Sequence, residues 1–151
     1  MANTYTQLGI QIVFAVKYRR NAIPETYREA LQRFMTGIVQ RHGHRLLQIY
    51  CMPDHTHIVL ELHPAQALSD LVRNIKTASS KWVTQQGFVS GKFAWQAGYG
   101  AFSYHRDLMP TVIRYVANQA EHHRQTSFKT EYQRTLKEFE VDYQEEYLFD
   151  W

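Results

Sequence analysis

The segment RLLQIYCMPDHTHIVLEL, from Arg45 to Leu62, leaves this chain little freedom in how it folds. Two apolar runs of strand length are separated only by Met52, Pro53 and Asp54. Proline presets φ and aspartate favours turns, so the runs read as the two strands of a hairpin. Side chains alternate along a strand, which sends Thr56, Ile58, Leu60 and Leu62 to one face and His55, His57, Val59, Glu61 and His63 to the other. The first set is a core face. The second is mostly polar, and its histidines need a reason to be there.

The remaining elements follow from periodicity. Ile10, Ile12, Phe14, Val16 and Tyr18 alternate with mostly polar or small residues, the pattern of a strand with one buried face that ends at the basic cluster 17–20. Pro24 opens a helix carrying Tyr27, Leu31, Phe34 and Ile38, and Gly43 stops it. A second helix, from Ala65 to about Gln86, bears the stripe Leu68, Leu71, Val72, Ile75, Ser79, Trp82 and Val83, with Ser69 or a neighbour to start it and Gly87 to end it. FAWQAGYGAFSYH reads as an irregular strand, Pro110 opens a third helix through TVIRYVANQAEHHRQ, and KTEYQRTLKEF forms a last short helix before an acidic tail. The order β, α, β, β, α, β, α is the ferredoxin-like plan. It predicts an α+β fold, an antiparallel sheet with helices on one face, the other face open, and an added C-terminal helix. A chain of 151 residues fits one domain spanning 1–151.

Composition narrows the function. The net charge of +3 is unevenly placed, basic around Lys17 and acidic near the C-terminus, so the body suits a polyanion or simply a solvated surface. The one cysteine, Cys51, excludes an internal disulfide and a cysteine metal cage, and reads as a small buried strand residue. No apolar run is long enough to span a membrane, and the N-terminus carries no export pattern, so a soluble cytoplasmic protein without a membrane partner is expected.

His55 and His57 project from one strand face about 7 Å apart, at ~3.3 Å per residue, which lets both imidazoles lean onto one ion. By itself such a pair is more often two half-exposed histidines. The third helix supplies company: Tyr115 and Gln119 are four apart, on one helical face beside the seam of Val112, Ile113, Val116 and Ala120. Each of these alone is an ordinary boundary tyrosine or surface amide. His122 shares their face and is a second choice of ligand on geometry. His63 and Glu61 read as solvated, and His123 and Arg124 as continuing toward solvent, where they could meet phosphate.

Together, MPDHTHIVLEL, the upstream VKYRR, WQAGYGAFSYH and IRYVANQAEHH resemble the single-tyrosine HUH transposases of the smallest bacterial insertion sequences, in order and spacing, from about Ile10 to Leu148. Thr56 departs from the bulky apolar residue usual there but keeps its ligand neighbours' direction. The resemblance implies that His55, His57 and Gln119 hold a divalent metal, Mg²⁺ or Mn²⁺, although two histidines also suit Zn²⁺. It implies that Tyr115 is the nucleophile that cleaves single-stranded DNA through a 5′-phosphotyrosine link and later rejoins it. DNA hairpins as targets and a homodimer, whose tyrosine helix serves the partner's histidines, follow from the same resemblance. A free sheet edge and a hinge at Gly98 and Gly100 permit such a dimer. Candidate DNA contacts are Lys17, Arg19, Arg20, Arg73, Lys76 and Lys81, each also readable as a plain surface charge. Tyr18, Trp82, Trp95, Tyr99, Phe102 and Tyr104 are candidates to stack on bases, though more of them are expected in the core, Trp82 above all. Two alternatives stay open: a domesticated endonuclease of the same family acting on repeated hairpins, and a non-catalytic single-strand binder using the open sheet face.

Overall fold

The computed structural model describes residues 3–148; Met1, Ala2 and Phe149 to Trp151, the two ends of the expected domain and the last residues of the acidic tail, lie outside the described residues. Four strands, β1 (Gly9–Ala15), β2 (Arg45–Cys51), β3 (His55–Glu61) and β4 (Gly100–Ser103), form one antiparallel sheet in the order β2-β3-β1-β4. Helices α1 (Glu25–Arg41) and α2 (Leu68–Gln86) pack on one face. This is the ferredoxin-like arrangement that the element order predicts, and β3 and β1 occupy its centre.

The hairpin closes as expected, with Met52 N–H donating to the His55 carbonyl at 2.8 Å. Ile58 and Leu60 enter the main core with Leu31, Met35, Leu71 and Ile75 from the two helices. Gly87 caps α2 with φ +77°, a left-handed conformation open to glycine. Ala67, not Ser69, is the N-cap, and it caps with no side chain. Trp82 is only half-buried, stacked on Phe34 at 5.5 Å at the edge of that core.

Three expectations need correction. The second sheet face is not open. Helices α3 (Met109–Ala117) and α5 (Phe128–Glu138) cover it, Val59 packing with Met109, Val112 and Val116 and Val13 with Phe102, Phe128 and Leu136. All seven residues of β1 are consequently buried, where alternation predicts one wet face. The sequence concealed this because β1 and β3 carry small or amide-bearing polar residues that other polar groups satisfy. Second, strand one ends at Ala15; Val16 makes only an isolated bridge to Trp95, and Tyr18 lies in a 3₁₀ turn with φ 61°. Third, the third helix is not continuous. It breaks at Asn118 (φ −101°, ψ 25°), after which a four-residue helix, α4 (Gln119–His122), follows. A last short helix, α6 (Glu145–Leu148), lies in the acidic tail.

Gly100 is a strand residue of β4 opposite Val13, not a free hinge. A Cβ built there would stand 2.7 Å from the ring and hydroxyl of Tyr132 on α5. Gly100→Ala is therefore expected to force that ring aside and to destabilise the fold by about 1–3 kcal/mol, read as a lowered Tm.

Candidate active site

His55 and His57 stand on the central strand β3 and are 0% and 2% exposed. Their ring centroids lie 5.0 Å apart. Each ring is fixed from behind. His55 Nδ1 is 2.6 Å from Asp54 Oδ1, and His57 Nδ1 is 2.7 Å from Gln11 Oε1. Gln11 reaches His57 diagonally because its β1 neighbour Val13 pairs with His57. Its amide nitrogen donates to the Tyr104 hydroxyl at 2.9 Å, which leaves the amide oxygen to accept from His57. Both Nδ1 atoms thus meet an oxygen, and both Nε2 atoms turn inward.

The space those nitrogens face is rich in oxygen atoms. Glu131 Oε1 lies 3.0 Å from His57 Nε2 and 3.8 Å from His55 Nε2, and Gln119 Oε1 lies 3.3 Å from His55 Nε2. Burial pushes the His57 imidazole down to about 4, more than the nearby Glu131 raises it, so this ring is neutral near pH 7. His123 Nε2 reaches the same two oxygens, and a divalent cation is the other partner that suits them. Ligands bound at about 2.1 Å to one ion stand roughly 3–3.5 Å apart, close to two of these three separations. The donor set of His55, His57, Gln119 and Glu131, nitrogen and oxygen without thiolate, fits a divalent metal.

Gln119 is fully buried on α4. The break at Asn118 does not separate it from Tyr115, because both meet Glu131: the Tyr115 hydroxyl donates to Oε2, and Gln119 Nε2 approaches the same atom at 3.4 Å. Burial, then the bond to Glu131 and its charge, push the Tyr115 phenol well above its ordinary value. Burial alone would raise the Glu131 carboxyl as well, but the bonds from His123, then His57, then Tyr115 hold it well below the usual carboxylate range. Its place in the first turn of α5, behind the Ser127 N-cap, also favours a negative charge.

Glu131 and His123 are the residues that sequence reasoning missed. His123 does not run on toward solvent. Four residues past Gln119, it shares that residue's helical face, with its Nε2 2.9 Å from Gln119 Oε1 and 3.3 Å from Glu131 Oε1. Burial lowers its proton affinity, but Glu131 outweighs that and raises it overall, so His123 donates at rest and steadies the Gln119 amide. With His55, His57 and Glu131 it forms a group whose ligand atoms all lie within 4.8 Å of one another. The available signal was a carboxylate inside the α5 stripe of Phe128, Tyr132, Leu136 and Phe139, where periodicity asks for an apolar residue. His122 is not in this group; it stacks on the Tyr115 ring at 4.3 Å. Arg124 is exposed and paired with Glu121, His63 is exposed, and Glu61 is half-buried near Arg45.

The candidate DNA cations fall at two places. Lys17 and Arg20 flank the Tyr18 ring at 5.4 and 5.5 Å, and Tyr18 is 48% exposed, a platform suited to an unpaired base. Arg19 beside them is half-buried. On α2, Arg73 pairs with Asp70 and Lys81 is exposed. The Lys76 ammonium is instead anchored on the carbonyls of Gln96 and Gly98, over the Phe14 ring, so it holds the loop before β4. Trp95 and Phe102 are core residues, and Tyr104 is bonded to Gln11.

A family model described as "Transposase IS200 like" matches residues 4–119. The chain belongs to the IS200-like transposase family. The ISDra2 transposase TnpA of Deinococcus radiodurans is 31% identical over 75 residues, covering 50% of this chain and 54% of that protein. The transposase for insertion sequence element IS200 of Salmonella typhimurium is 31% identical over 86 residues, 57% of each. The matches thus span a little over half the length of these relatives. Among solved structures, one described as a transposase of D. radiodurans R1 superposes with TM-score 0.63 at 21% identity, over 79% of this chain and 95% of that one. A REP-associated tyrosine transposase bound to a REP hairpin gives 0.62 at 13% identity, over 82% and 73%. Both are likenesses of fold. The family match ends at Gln119, so this IS200-like chain supplies His123 and Glu131 from beyond it.

Gln11→Ala removes the acceptor that aims His57. Mn²⁺ affinity, followed by titration calorimetry, is expected to fall about 10–100-fold.

Proposed function

We propose that this chain is a metal-dependent transposase that cleaves and rejoins single-stranded DNA through a 5′-phosphotyrosine link at Tyr115. The observation that carries the reading is Glu131: one carboxylate oxygen lies among the inward imidazoles while the other accepts from the Tyr115 hydroxyl. Nucleophile and ligand set are thereby held together within one chain.

His55, His57, Gln119 and Glu131 would hold the ion. A divalent cation there supplies positive charge for the phosphate oxygens and for the developing phenolate. Everything else falls to the protein. Glu131 Oε2 orients the Tyr115 hydroxyl and is the atom placed to take its proton as the phenol oxygen attacks phosphorus. The Tyr115 O–P bond forms as the P–O3′ bond breaks, and the departing oxygen takes up a proton to become a free 3′-hydroxyl. In rejoining, a 3′-hydroxyl attacks the phosphotyrosine, and Tyr115 leaves and recovers its proton. The link conserves the phosphodiester bond, so no nucleotide cofactor is needed.

Hairpin recognition at element ends and a homodimer are parts of the same proposal. The free sheet edges are β2 and β4. A dimer is not needed to bring Tyr115 to the histidines, which favours action in cis. The non-catalytic alternative needs an open sheet face, and α3 and α5 occupy it. Among the described residues no helix is long and apolar enough to cross a membrane. The decisive test incubates a labelled hairpin with single-stranded flanks and Mn²⁺. An adduct that survives denaturation and vanishes with chelator supports the reading; binding without cleavage under all conditions defeats it.

A further inference from the structure

Arg28, near the start of α1, lies half-buried with its guanidinium carbon 4.7 Å from the centroid of the Tyr50 ring. Its Nε is buried and has no hydrogen-bond partner, and among the described residues no carboxylate pairs with it. Glu25, one turn away and exposed, makes no ion pair with it. A buried Nε–H without an acceptor costs stability unless something outside the chain completes it.

The space beside it is a cavity of about 200 Å³. Ile23, Met52 and Pro53 wall it, and Arg28, His123 and Arg124 form its polar edge together with the one carboxylate there, Glu25. Arg124 is held only by an exposed pair with Glu121 on its own turn, at 3.1 Å, an interaction weak enough to exchange. His123 joins the cavity to the ligand cluster, being 3.3 Å from Glu131. A second cavity, of about 220 Å³, is lined by Tyr115, Glu131 and His57 and shares no lining residue with the first. The nucleophile therefore faces one cavity and the unmatched arginine the other, and His123 and Glu131, in contact with each other, line one each.

We propose that the Arg28 cavity is a phosphate subsite: Arg28, assisted by Arg124, holds a backbone phosphate of the strand away from the scissile one. This rests on the strand-transfer reading above and adds a specific contact to it. A planar guanidinium fork matches a phosphate better than an ammonium does, and Tyr50 keeps the fork flat.

The test measures binding of fluorescein-labelled dT16 by anisotropy between 50 and 200 mM NaCl, in a Tyr115→Phe background that leaves the probe uncut. Arg28→Gln is expected to weaken binding about tenfold and to lower the slope of log K against log salt by about 0.7, the increment for one phosphate on a single strand. Arg28→Lys keeps the charge but loses the fork, so it is expected to retain the slope and lose roughly threefold in affinity. Unchanged affinity and slope in Arg28→Gln overturn the subsite. If that variant fails to fold by circular dichroism, Arg28→Lys decides, and parental affinity there overturns the subsite equally. A parent that does not bind dT16 at any salt overturns the subsite as well, while the adduct assay on the flanked hairpin judges the strand-transfer reading separately.

Discussion

Tyr115→Phe is expected to abolish the covalent protein–DNA adduct, lowering its rate of formation by at least about 10³-fold, as loss of a nucleophile does. The substitution keeps the ring, its stack on His122 and its place beside Val112 and Val116; only the hydroxyl that donates to Glu131 disappears. Folding and hairpin binding should therefore survive, which separates a chemical defect from a structural one. The measurement is a denaturing gel of oligonucleotides labelled on either side of the cut. The fragment 3′ of the cut remains on the protein, and the fragment 5′ of it ends in a hydroxyl that a polymerase extends. If the variant forms the adduct undiminished, the nucleophile is elsewhere, and Tyr104, the other phenol bonded beside the cluster, becomes the first to examine.

Glu131→Gln is expected to lower both stability and metal binding. The carboxylate accepts from His123 and Tyr115 and stands 3.0 Å from His57 Nε2 in a buried place. An amide of the same size loses the charge that holds these donors. The metal-free protein should lose about 1–3 kcal/mol, seen as a lower Tm in chelator. Mn²⁺ affinity should fall at least about tenfold, because the one anionic ligand is lost, and adduct formation should fall with it. A variant that keeps parental Mn²⁺ affinity removes Glu131 from the proposed ligand set.

Much of the molecule is legible before folding. The hairpin at Met52-Pro53-Asp54, the two stripes that pack as α1 and α2 and the order of elements determine the ferredoxin-like sheet, because strand and helix periods are properties of short segments. The period-two placement of His55 and His57 likewise sends both rings to one face whatever surrounds them. Tyr115 and Gln119 are nameable from spacing and resemblance. Tertiary structure alone decided what lies opposite them. Whether the second sheet face is wet depends on where α3 and α5 dock, and no local pattern in β1 or β3 records that. The docking of α5 likewise puts Glu131 against His123, so that this ring joins the cluster instead of meeting solvent. Glu131, twelve residues past Gln119 on a separate helix, reaches His57 only through that docking, as Gln11 does through strand register. The sequence by itself determined which strand presents the imidazoles. Only the assembled fold determined that a carboxylate meets them, because contacts between distant segments are set by packing and not by period.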